Sequence, residues 1–234
     1  MKLDNATVLI TGANRGIGLA FAQAVLARGA RKVYAGARDL NSVTLPGATP
    51  LRLDVNSPAD IAAAVAAAGD VTVVINNAGI AEFGGVVDAD AEARLRRQLE
   101  TNVFGVLRIS QAFAPLLAAN GGGALLNVAS IASWISSPAL AGYAVTKSAV
   151  WSLSNGLRHE LRGQKTQVTT LHMAFVDTGM TQGIDAPKST PEEIVRQALD
   201  AFEAGAEEVL ADEWTRQVKL GLSAQPGVYL QTRD

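Results

Sequence analysis

The 234-residue chain has no cysteine, which excludes disulfides, thiolate nucleophiles and Cys-ligated metals. It has two histidines, His159 and His172, and neither has ligand partners at metal spacing, so no metal site is expected. It lacks a charge excess. Twenty Lys plus Arg face 22 Asp plus Glu, and the formal charge of −2 gives no electrostatic reason to bind nucleic acid or an anionic membrane. No apolar run approaches the ~18 residues that would suggest a membrane span. The opening Met-Lys-Leu-Asp-Asn-Ala lacks the apolar core and cleavage signature of a signal peptide, so a soluble cytoplasmic protein is expected. No internal repeat or long linker divides the chain, and residues 1–234 read as one domain. What the chain does have is apolar bulk. Hydrophobic residues make up 48%, with Ala and Val prominent, enough for a globular α/β domain with a substantial core.

Short β-branched runs alternate with longer helical stretches. Strands are expected at Thr7–Ile10, Lys32–Gly36, Thr49–Leu53, Val71–Ile75, Ala124–Val128, Gln167–His172 and Glu208–Ala211. Helices are expected at Gly16–Arg28, from Pro58 to Ala68, over Ala89–Ala119, over Gly142–Arg162, and from Thr190 onward. Ser57-Pro58 and Thr190-Pro191 each offer a capping hydroxyl followed by proline at the first helical position. Residues from Gly221 onward carry no signal that places them. This alternation implies a doubly wound parallel sheet of about seven strands with helices on both faces, a Rossmann-type α/β fold. In such sheets ligands bind at the carboxyl ends of the strands, at the topological switch point.

The chemistry-bearing residues fall at those ends. Gly12, Gly16 and Gly18 lie between the first strand and first helix. A bare backbone there can turn sharply and let a pyrophosphate approach the helix N-terminus. Arg15 lies inside this loop and Arg38 follows the second strand, where two guanidiniums can converge on a 2′-phosphate. Further on, Tyr143 and Lys147 stand at i and i+4 on one helix face. Carbonyl reduction leaves an oxygen that needs a proton, and a tyrosine with its ordinary pKa of about 10 needs a neighbouring ammonium to act near neutrality. Ser130 stands at the end of a strand, where its hydroxyl can hold the substrate oxygen.

Thr11-Gly12 through Gly18 in TGxxxGxG spacing, Asn76-Asn77-Ala78-Gly79, Ser130 and Tyr143-xxx-Lys147 together resemble the short-chain dehydrogenase/reductase family, in order, from about Thr7 to Thr178. The resemblance implies an NADP(H)-dependent reductase of ketones or aldehydes, reversible as an alcohol dehydrogenase. It assigns Tyr143 as acid/base, Lys147 as its pKa modulator and ribose anchor, and Ser130 as orienter of the substrate oxygen. Asn102 would kink the long helix and carry a water beside the lysine. The cofactor contacts it implies are Gly12, Asn14, Arg15, Gly16, Ile17 and Gly18 in the loop, then Arg38, Asp54 with Val55, Asn77, Ala78 and Gly79, together with Tyr143 and Lys147. Asp54 would meet the adenine, and Val176 and Thr178 the nicotinamide carboxamide. Ala37 stands where NAD-using members carry an acid, which favours NADP(H). The resemblance also implies a homodimer or homotetramer, with the helices of Asn102 and Tyr143 at an interface. One departure stands out: Met173-Ala174 replaces the family's Pro-Gly.

Two alternatives stay open: an NAD-linked dehydrogenase acting oxidatively, and a non-catalytic dinucleotide sensor on the same fold. On the substrate side, Gly179, Gly183 and Pro187 disfavour a stable helix between Thr178 and Thr190. A short lid and an open pocket are expected, with Trp134, Leu140, Phe175 and Met180 as an apolar wall for a small-molecule carbonyl or alcohol. The unplaced tail is the competing cover for that opening. Trp151 is read as helix packing.

Overall fold

The computed structural model describes residues 1–231. Seven parallel strands form one sheet in the order β3-β2-β1-β4-β5-β6-β7. They are β1 (Thr7–Thr11), β2 (Lys32–Ala37), β3 (Ala48–Arg52), β4 (Val73–Asn76), β5 (Gly123–Val128), β6 (Thr166–His172) and β7 (Glu208–Leu210). The chain winds outward from β1 to β3, then returns to β4 and winds the other way. The switch point therefore lies between β1 and β4. β3 is an edge strand, which lets it carry Pro50.

Alternation along the strands feeds two cores. Val8 and Ile10 face one side, with Phe21 of α1 (Gly16–Ala27) and Ile194 and Phe202 of α6 (Pro191–Glu203). Leu9 faces the other, with Ile61 of α2 (Pro58–Ala67), Phe113 of α4 (Gly105–Ala119) and Leu157 of α5 (Ala141–Leu161). Ser57 and Thr190 cap α2 and α6 through the backbone N–H groups of Asp60 and Glu193, as their sequence context predicts.

Three features differ from the sequence reading. The long helix expected over Ala89–Ala119 begins as α3 (Ala91–Leu99) and passes through one π-helical stretch, Glu100–Phe104, before α4. An eight-residue helix, α7 (Glu213–Leu220), follows β7 where none was anticipated, capped by Asp212. The tail beyond it is placed as far as Gln231, and the rest of it lies outside the described residues. Leu222 and Val228 pack against the cluster of Ile131, Trp134 and Val218. Ala91–Ala119 is the one helical stretch among the described residues long and apolar enough to cross a membrane, with mean hydropathy 1.3. Here it lies on the sheet with Phe113 and Leu117 fully buried and Arg108 paired to Glu100.

Candidate active site

The crevice at the switch point is built by backbone and amide groups. Gly12 (φ +67°) and Gly16 (φ +53°) take left-handed conformations that other residues adopt at a cost. Gly18 lies so close to the loop that a Cβ there would sit 2.1 Å from the Gly12 carbonyl oxygen and 2.5 Å from Asn77 Nδ2. Asn77 Nδ2 donates to the carbonyls of Thr11 (2.9 Å) and Gly12 (3.1 Å), and Thr11 Oγ1 accepts from the N–H groups of Asn77 and Ala78 (3.0 Å each). These bonds tie the end of β1 to the end of β4. Helix α1 starts from Arg15 with no side-chain cap and no acid in its first turn, so its N–H groups face the crevice uncompensated. This cradle fits a dinucleotide pyrophosphate. Asn14 and Ile17 line the same loop, partly exposed.

Arg15 and Arg38 are both exposed beside the crevice, and Ala37 is buried. The first carboxylate after β2, Asp39, is occupied in its own turn, where Oδ1 accepts from Asn41 N (3.0 Å). Asp54 is partly exposed and accepts from Asn56 N (2.9 Å). The Val55 side chain is committed to packing on the start of α4: a Cβ on Gly105 would lie 2.7 Å from it. At the far end of the crevice, Thr178 comes against the glycine loop, 3.4 Å from where a Gly16 Cβ would be. Val176 beside it is buried.

Ser130, Tyr143 and Lys147 converge at the ends of β5 and α5. Burial holds the Tyr143 phenol well above its ordinary value, an effect that the neighbouring Ser130 hydroxyl partly offsets. Ser130 Oγ also accepts from Ala132 N at 3.1 Å. Lys147 is 6% exposed, its Nζ donating to the Val128 carbonyl (2.8 Å) and lying 5.5 Å from the Tyr143 ring centroid. Burial lowers its pKa to about 8. Asn102 sits in the π-helical stretch with its amide fully engaged. Its Oδ1 accepts from Ile80 N (2.8 Å), and its Nδ2 donates to the Ile80 carbonyl (2.9 Å) and Thr146 Oγ1 (3.0 Å). That side chain braces the segment after Gly79 against α5; a Cβ on Gly79 would come 3.2 Å from Asn102 Oδ1.

Several supporting residues escaped the sequence reading. Ser133 Oγ donates to the Lys147 carbonyl (3.0 Å) and Ser148 Oγ to the Ser133 carbonyl (2.9 Å), which fastens the Ser130 turn to α5. Asp212 Oδ2 accepts from Ala174 N at 2.7 Å and so holds the loop where Pro-Gly is replaced. Neither signal is local: each partner lies in another element.

The expected wall residues separate. Leu140 and Phe175 are partly exposed and Met180 is exposed. Trp134 corrects its expectation. It is buried, stacked on His172 at 4.1 Å between centroids and edge-on to Trp151 at 6.0 Å, so its faces belong to interior packing rather than to a ligand wall. Phe175 leans on Trp214 of α7 at 6.0 Å. Between Thr178 and Thr190 there is one short 3₁₀ turn, Gly179–Thr181, and no α-helix. The segment's base is pinned by Asp177 N to the Ser189 carbonyl (2.9 Å) and Ser189 N to the Phe175 carbonyl (3.0 Å).

A sequence model of the short chain dehydrogenase family matches residues 6–189. The chain belongs to that family. It is 33% identical over 204 residues to 2-(S)-hydroxypropyl-CoM dehydrogenase 3 of Xanthobacter autotrophicus, covering 82% of this chain and 80% of that protein. It is 34% identical over 206 residues to sorbitol dehydrogenase of Cereibacter sphaeroides, covering 84% and 80%. A short chain dehydrogenase from Burkholderia cenocepacia J2315, solved in complex with NADP, superposes with a TM-score of 0.92 at 34% identity, over 97% of this chain and 96% of that one. Membership makes the chain an oxidoreductase of alcohol and carbonyl groups.

Proposed function

We propose that this chain, acting as one domain, is an NADPH-dependent reductase of ketones and aldehydes, reversible as an alcohol dehydrogenase. The observation that carries the reading is the meeting of Ser130, Tyr143 and Lys147 on the same edge of the sheet as the pyrophosphate cradle. The dinucleotide supplies hydride when bound. Ser130 and the Tyr143 hydroxyl hold the substrate oxygen, and Tyr143 gives it the proton. A phenol held above its ordinary pKa is protonated at working pH, as an acid in reduction needs to be. Lys147 supplies positive charge beneath the ring and the anchor for a ribose; its present partner is a carbonyl, which leaves donors free. Asn102 acts by bracing α5 and the Ile80 segment.

Arg15, Arg38 and the missing acid at Ala37 favour the 2′-phosphate form of the cofactor. The NADP-bound Burkholderia relative supports that preference. Phe175, Leu140 and Met180 with the pinned segment 179–189, which has no α-helix, support an open apolar pocket that accepts bulky carbonyl groups. We read the protein as cytoplasmic and homo-oligomeric. Following NADPH absorbance across ketones of increasing size, with NADH in parallel, tests the cofactor and pocket readings. Turnover with NADH alone, or with one small polar substrate alone, would overturn the cofactor or pocket reading respectively.

A further inference from the structure

His172 is fully buried at the end of β6, one position before the altered Met173-Ala174 loop. The dinucleotide chemistry does not use it. Its Nδ1 lies 3.0 Å from the carbonyl oxygen of Ser130. A carbonyl offers only lone pairs, so Nδ1 carries the proton and donates. The contact comes where the β5–β6 ladder ends, its last pair being Val128 and Leu171. Beyond that pair the imidazole takes over part of the sheet's work and fixes the carbonyl that also accepts from Ser133 N (3.0 Å) at the start of the Ser130 turn.

Trp134 and Glu208 flank the ring. Trp134 stacks on it at 4.1 Å. Glu208 Oε1 lies 3.5 Å from Nε2, which makes no hydrogen bond. Glu208 is fixed in turn by Trp151 Nε1 (3.0 Å) and by Lys219 Nζ of α7 (2.8 Å), and Lys219 lies over both indoles at 4.5 and 5.1 Å. A chain of side chains therefore runs from α7 and β7 through the imidazole to the backbone of Ser130.

We propose that His172 is a positioning residue for Ser130: its Nδ1–H holds the Ser130 carbonyl so that the Ser130 hydroxyl faces the substrate oxygen, with the stacked Trp134 setting the ring's plane. The proposal rests on Ser130 serving that role in the reduction. A misplacement of the order of 1 Å at a catalytic group lowers turnover by about 100-fold, so loss of this one anchor lowers kcat by roughly 10- to 100-fold while dinucleotide contacts stay intact.

Paired variants test it. Asn carries its amide nitrogen on Cγ, where Nδ1 stands, and Gln carries it one bond further out, where Nε2 stands. His172→Asn is expected to keep kcat within about threefold of wild type, since the donor to Ser130 survives. His172→Gln is expected to lose kcat at least about tenfold with an unchanged NADPH Kd. Equal losses in both variants, or none in either while Tyr143→Phe is inactive, would overturn the proposal. Wild-type turnover in Tyr143→Phe would instead sink the reductase reading. Nitrogen-15 NMR of the wild-type imidazole decides the structural half without any variant. A slowly exchanging proton on Nδ1 is expected, and an unprotonated Nδ1 refutes the bond even if neither variant folds.

Discussion

Replacing Gly18 with alanine tests the cradle where its geometry is tightest. The added Cβ would lie 2.1 Å from the Gly12 carbonyl oxygen and 2.5 Å from Asn77 Nδ2. Ordinary contact lies near 3.5 Å, so one side must move by about 1 Å. Neither side yields easily. Gly12 is held at φ +67°, and the same Asn77 nitrogen bonds two loop carbonyls. Overpacking of this kind costs roughly 1–3 kcal/mol, against a helix-propensity gain of about 1 kcal/mol for alanine over glycine in α1. The net stability loss is therefore up to about 2 kcal/mol, a fall in Tm of several degrees at about 2–4 °C per kcal/mol. Binding suffers more, because the displaced atoms form the pyrophosphate cradle. NADPH and NADH share that group, so both Kd values rise by about tenfold or more, where tenfold corresponds to about 1.4 kcal/mol. Dinucleotide titration by fluorescence and a thermal melt read the two effects. Gly156→Ala is the control. This exposed glycine of α5 has nothing within 4 Å of the added Cβ, so it gains about 0.5–1 kcal/mol and leaves binding alone. A Gly18→Ala protein with wild-type Tm and an NADPH Kd within about twofold of wild type would refute the cradle.

Tyr143→Phe removes the transferable proton and keeps the ring, so kcat falls by at least ~10²-fold while NADPH Kd holds; near wild-type turnover refutes the acid assignment. Arg38→Ala weakens NADPH by ~10- to ~150-fold and NADH much less, as isothermal titration with each cofactor shows, and Ala37→Asp with Arg38→Ala moves preference toward NADH. Lys147, held near 8 by burial, is an ammonium below that pH, so kcat/KM for NADPH falls as pH rises through about 8. Between 8 and its ordinary 10.5 the unfolded chain binds the extra proton, so this lysine's contribution to stability rises with pH across the onset of that activity loss. A stability measurement over pH 7–9 that falls with activity would show unfolding rather than titration of Lys147.

The sheet and the glycine loop were legible because their signals are local. Thr7–Ile10 and Val71–Ile75 are apolar on both faces, as strands covered by helices on both sides need to be, and their bounds shifted by one or two residues. Tyr143 and Lys147 were legible because a four-residue helical spacing places them on one face. The resemblance implied a kink at Asn102, but its π-helical form over Glu100–Phe104 was not legible. It goes with the bonds Asn102 makes to Ile80 and Thr146, 22 and 44 positions away. Helix α7 was hidden by its brevity: two buried positions, Thr215 and Val218, are too few to show a period. Trp134 was misassigned for a related reason. Its place between Ser130 and Tyr143 in sequence says nothing about which side of the loop it faces, and His172 and Lys219 take that side.

The turn at Met173-Ala174, where the family's Pro-Gly is absent, is held by tertiary bonds. Proline would fix its own φ and remove an N–H from the turn after β6. Here the turn keeps its N–H groups, and Ala174 N donates to Asp212, whose other oxygen accepts from Thr215 N at the start of α7. Ile131 N donates to the Met173 carbonyl (2.8 Å) and draws the Ser130 turn into the same arrangement. The loop that leads to Val176 and Thr178 is thus held from α7, the helix that also carries Lys219 toward Glu208 and His172. Contacts from α7 and its cap reach both sides of the candidate site, through Asp212 to the Ala174 loop and through Lys219 to Glu208, beside His172.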